Sequence, residues 1–109
     1  MGATQQVTLT TTVIATAALV QQRFVGADNA PCQAGAAALG VAEVDAAWGD
    51  AVPVNVLGII VVEAVGRGMS VQSDDTARAV LLTEAGVSNG IALDAALAEG
   101  DVIRILRGV

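Results

Sequence analysis

At 109 residues the chain has the length of one domain built on one modest core. Its net charge is −6, from eleven acids against five Arg with no Lys and no His, a balance that repels phosphate backbones and argues against nucleic acid as a partner. Ala (22) and Val (17) supply most of the 54% apolar fraction, and the aromatics amount to one Phe and one Trp, so either a membrane or other protein chains must take up apolar surface.

The membrane option fails on length, because a spanning helix needs about 20 apolar residues in a row. Val13 to Val20 is interrupted by Thr16 and followed by Gln21, Gln22 and Arg23, and Val56 to Val62 is short and contains Gly58. The first positive side chain, Arg23, follows the apolar stretch rather than preceding it, so no secretory signal is expected. A soluble protein made in the cytoplasm and used as an oligomer fits best. Arg as the only cation suits protein interfaces, and a GC-rich coding bias explains it equally well.

In chain order, Val7 to Ile14 is rich in β-branched residues and partly alternating, which is strand chemistry. Residues 1–14 are expected to form an extended N-terminal arm and residues 15–109 the β-rich domain. Leu19 to Val25 is a candidate strand closed by Gly26 and the Asp28–Pro31 turn. Gly35 to Ala38 is a featureless small-residue link. Gly40 to Val44 is predicted as a short strand, followed by a turn from Asp45 to Asp50 that carries Trp48. Val52, Val54 and Val56 alternate with Pro53 and Asn55, and Ile59 to Val62 beyond Gly58 forms a continuous apolar strand. Ser73-Asp74-Asp75-Thr76 is the turn of a hairpin between Met69–Gln72 and Arg78–Leu82. Gly90 to Leu93 and Asp101 to Arg107 complete the strands, and Asp94 to Glu99 is long enough for one helical turn. Gly40-Val41-Ala42 and Gly90-Ile91-Ala92 each lead through Asp-Ala-Ala to Gly-Asp and a new strand, a loose internal repeat of strand–turn–strand units. The fold class is all-β, with short strands closely spaced in a compact barrel or clip.

The residues for chemistry are missing. Without His a Ser-His-Asp or Cys-His site cannot be built, and without Lys there is no P-loop. Gly66-Arg67-Gly68 lacks the third Gly of a dinucleotide loop. Zinc has no ligand set, and Asp74-Asp75 reads as a solvated turn rather than a calcium site. Cys32 has no partner Cys and no activating base, which makes it a spectator thiol. No catalytic residue, cofactor or metal is assigned.

The remaining candidates concern partners. Trp48 is either a cap over the small-residue core or an interface anchor, and the cap is the preferred placement. Phe24 belongs to the core. Arg104 shares a strand face with Val102 and Leu106, which either faces solvent or meets another subunit. The arm is uncharged up to Arg23 and lacks the Lys or Pro that guards an exposed edge. It is expected to add a strand to a neighbour, with Val7, Leu9 and Val13 buried on one face, or else to be the first strand of its own barrel.

The series Gly40-Val41-Ala42, Gly49-Asp50, Val54, Gly58, Gly68-x-x-Val71-x-Ser73-Asp74, Gly90-Ile91-Ala92 and Gly100-Asp101 resembles the small cement (decoration) proteins of tailed-phage capsids. The likeness runs from Leu39 to the C-terminus. It implies a β-clip- or β-tulip-like barrel, a homotrimer, and a structural virion protein that binds the major capsid protein on the capsid exterior, between capsomers. It carries no catalytic residues. Some members are labelled as RecA/RadA-type recombinases, which the missing P-loop Lys and the acidic balance contradict here. The alternatives are a small-ligand-binding β module, which normally needs aromatic walls that this chain lacks, and another virion component of the tail or head–neck.

Overall fold

The computed structural model describes residues 5–63, 70–81, 86–94 and 101–107. These residues contain eight strands: β1 (Gln6–Ile14), β2 (Phe24–Gly26), β3 (Ala38–Ala42), β4 (Ala51–Glu63), β5 (Ser70–Ser73), β6 (Ala79–Leu81), β7 (Gly90–Ala92) and β8 (Val102–Arg107). Among the described residues there is no helix, and every pairing is antiparallel. The sheet runs β2-β3-β4-β8-β7-β5-β6, and β1 lies beside β4. It curls into a nearly closed barrel, so the all-β barrel expected from the sequence is what forms.

Strand β4 is the organiser. The alternating Val52–Val56 stretch and the apolar Ile59–Val62 stretch are one 13-residue strand rather than two. At Gly58 and Ile59 it pairs with Val7 and Gln6 of β1 and with Arg107 and Leu106 of β8, so β1 and β8 flank it on opposite sides. At Val54 and Asn55 it pairs with Thr11 and Thr10 of β1 and with Ala42 and Val41 of β3. Strands β3 and β8 therefore follow one another along the edge opposite β1. The irregularity falls at Gly58, which takes φ 111 while the facing β1 shifts register on either side of Leu9. A Cβ at Gly58 would sit 2.8 Å from the Thr8 amide nitrogen, so only glycine lets β1 pass this close.

The two loosely repeated segments are both hairpins. Val41 faces Asn55 in the first, and Ile91 faces Leu106 in the second. The predicted β5–β6 hairpin also forms, with Val71 opposite Leu81. Its turn is held by Asp74, whose Oδ1 accepts from Thr76 N (2.9 Å), Thr76 Oγ1 (3.0 Å) and Arg78 N (2.8 Å). Between Leu19 and Val25 the strand is shorter than expected: β2 covers Phe24–Gly26, and Leu19 makes only an isolated bridge to Ala46. The helical turn over Asp94 to Glu99 and the Gly66-Arg67-Gly68 break lie outside the described residues, apart from Asp94 itself.

The apolar side chains divide into two clusters. Phe24, Cys32, Val41, Ile60, Val62, Val71, Ile103 and Ile105 fill the larger one with Ala77 and Ala79. Ala15, Leu19, Val25, Ala42, Val52 and Val54 form a second under the loops at one end. Phe24 is 1% exposed, in the core as expected. An Arg23–Glu63 pair (3.0 Å), joined by Arg78, ties the end of β4 to β2 and to the β5–β6 turn.

Candidate interaction surfaces

The structure does not gather Val7, Leu9, Val13, Trp48 and Arg104 into one place. Strand β1 lies on its own sheet, paired along β4 from Gln6 to Ile14. Val7 packs against the larger cluster and Val13 against the smaller. Leu9 does not join them on the chain's own core: it is 47% exposed, because the register shifts around it break the alternation between Val7 and Val13. Polar contacts also tie the strand to the domain. Thr10 Oγ1 donates to Asn55 Oδ1 (2.9 Å), Asn55 Nδ2 donates to Glu43, and Val61 N donates to Gln5 Oε1 (3.2 Å). A cavity among these groups, lined by Gln5, Gln22, Glu43 and Asn55, measures about 30 Å³. That is room for water and far too small for a sugar or peptide side chain.

Trp48 also departs from the preferred placement. It caps no core, being 77% exposed. The reason is local: Asp50 N donates to Ala47 O (3.1 Å), closing a turn with Trp48 at its first corner and Gly49 at its second, with φ 86. Such a turn requires glycine at that second corner and points the preceding side chain outward. Asp50 Oδ2 accepts from Ala47 N (2.9 Å) and locks the turn. The loop that carries it runs beside residues 15–20, through Ala15 N to Asp50 O (2.9 Å), Gly49 N to Ala15 O (2.8 Å) and the paired Leu19 and Ala46. Ile14, Val20 and Val44, all exposed, lie on these same two segments.

Arg104 sits where the alternation put it, on the outer face of β8 with the exposed Val102 and Leu106. Across the sheet Leu106 stands between Ile59 and Ile91, and Leu93 N donates to Arg104 O (2.8 Å). Among the described residues this face also carries Glu63, opposite Val102 at the end of β4, and an ion pair that sequence reasoning missed. Arg104 Nε and Nη2 each reach Asp94 at 2.9 Å, and Arg104 N donates to Asp94 Oδ2 (3.0 Å). Those side-chain bonds first, then the backbone bond, hold the Asp94 carboxyl at about 2.

Arg107 was also missed, although alternation from Val102 places it on the inward side with Ile103 and Ile105. It donates to Val56 O (3.0 Å), Ala38 O (2.9 Å) and Asn89 O (3.2 Å), joining β3, β4 and the approach to β7. Asn89 extends this hub, accepting from Ala38 N (2.9 Å) and donating to Ala36 O (3.0 Å). Cys32 is buried, and its burial pushes the thiol up from its ordinary value, which fits a spectator.

Comparison with known proteins adds one finding. A family model described as phage cement protein matches residues 3–107. No curated protein and no solved structure matches the chain.

Proposed function

The chain belongs to the phage cement protein family, and from that premise we propose that it decorates the outside of a tailed-phage head, binding the major capsid protein between capsomers and stabilising the shell. Its role is structural rather than catalytic, and it acts as a homotrimer made in the host cytoplasm and carried in the virion. The observation that supports this reading is the placement of large apolar side chains. The core is filled, yet Trp48, Ile14, Ile91, Leu93 and Leu106 face solvent at 39–77% exposure. Surfaces of this kind are covered in use, by other copies or by the capsid.

The test is to add purified protein to capsids that lack it. Co-sedimentation at saturating, lattice-defined copy number and a higher temperature of capsid disruption are expected. Capsids that neither bind the protein nor gain resistance would overturn the proposal, as would density on the tail or neck in a cryo-EM map of the virion.

A further inference from the structure

The loop end of the barrel carries the chain's one Trp almost wholly in solvent, on a turn that folding alone does not require to be aromatic. We propose that this end is the docking tip, with Trp48 inserting into an apolar recess of the capsid shell that is rimmed by Lys or Arg side chains. This deepens the cement reading and rests on it.

Three observations carry the proposal. The first is rigidity. Four backbone bonds of 2.8–3.0 Å hold the Trp48 loop against residues 15–19, and beneath them Ala15 and Leu19 are buried in the smaller core cluster. The side chain is thus offered from a fixed platform, which lowers the ordering cost of binding. The second is composition. Ile14 (55% exposed), Val20 (42%) and Val44 (43%) lie on or beside the two bonded segments that carry a tryptophan, a residue enriched at binding hot spots.

The third is charge, which selects the partner. Asp28, Asp45 and Asp50 are exposed on the same loops, and the 28–29 turn joins them through Thr16 N to Asn29 O (3.1 Å). No cation occurs in the sequence between Arg23 and Arg67, and Arg23 is paired with Glu63 rather than with these acids. A second copy docking here would bring the same acids against them. The complement is a basic rim around an apolar centre.

The experiment measures binding to capsids lacking the protein, across a salt series, for the wild type, Trp48→Ala, Trp48→Phe, Asp45→Asn/Asp50→Asn and Asp45→Lys/Asp50→Lys. Trp48→Ala should keep the wild-type melting temperature and lose about 30-fold in affinity, as truncated hot-spot tryptophans do. Trp48→Phe should recover part of that loss. The Asn pair retains an acceptor for the Gln21 and Ala47 amides while removing charge, so its affinity should depend less steeply on salt. The Lys pair should bind more weakly still. A folded Trp48→Ala that binds like the wild type overturns the anchor. Salt dependence unchanged in the Asn pair, or affinity gained by the Lys pair, overturns the basic rim. If the wild type itself does not bind, the cement reading fails first and the tip fails with it.

Discussion

Among the described residues Arg107 has no carboxylate partner; its guanidinium is spread over main-chain carbonyls, and burial pulls its pKa below the ordinary value. A planar fork suits this task because one group can satisfy acceptors on three segments at once. Replacing it by Met keeps the stem and strands the carbonyls of Ala38, Val56 and Asn89. We expect Arg107→Met to cost about 2–4 kcal/mol in urea unfolding. A loss under half a kcal/mol would mean that the barrel does not depend on this clamp. Asp94 makes a different prediction. Its folded value of about 2 lies below the ordinary 3.8, so the stabilisation it confers is present above that ordinary value and is lost as pH falls through about 2. Asp94→Asn should therefore flatten the acid limb of the stability curve between those two values, relative to the wild type. An identical limb in both proteins would contradict the pairing with Arg104.

At the scale of elements, β1 poses the sharpest question. Its lack of charge suggested a strand meant for a neighbour. Within the chain it has a partner in β4, packs Val7 and Val13 on the two clusters, and is pinned by Gln5, Thr10 and Asn55. Deleting residues 2–10 removes half of that pairing, at Gln6, Val7, Leu9 and Thr10, and opens the edge of β4. The expected result is a marked fall in melting temperature or an unfolded domain. A shortened chain that melts normally and fails only to reinforce capsids would instead assign the strand to a neighbour. Wild type and deletion should be compared by calorimetry and by capsid heat challenge together.

For the whole molecule, the outer face of β4, β8 and β7 sets Leu106 between Ile59 and Ile91, and its described charges are paired, Arg104 with Asp94 and Glu63 with Arg23. Identical copies can approach there without the repulsion that a net charge of −6 imposes elsewhere. Light scattering at micromolar concentration should give a mass near three times 10.8 kDa. Leu106→Glu, which places a carboxylate in the middle of the face, should return the protein to the monomer without unfolding it, because Leu106 is 39% exposed. A wild type that is monomeric both in solution and on capsids would sink the trimer.

The sequence by itself determined the fold class, the hairpins at Ser73–Ala79 and around the Gly40 and Gly90 units, the core position of Phe24, and the shared face of Val102, Arg104 and Leu106. Each follows from local information: β-branched runs, turn chemistry and a side-chain period of two. Tertiary structure decided the rest. Alternation tells which residues share a face but not which face meets the core, and the register shifts on either side of Leu9 separate it from Val7 and Val13. Volume favours Trp48 as a cap over the core rather than an interface anchor, and the turn geometry at Gly49 leaves it exposed. Charge is expensive to bury, and nothing in the sequence marks Arg107 as a buried hub. Only the meeting of β3, β4 and Asn89, drawn from segments up to 69 positions apart, supplies the carbonyls that make its burial affordable.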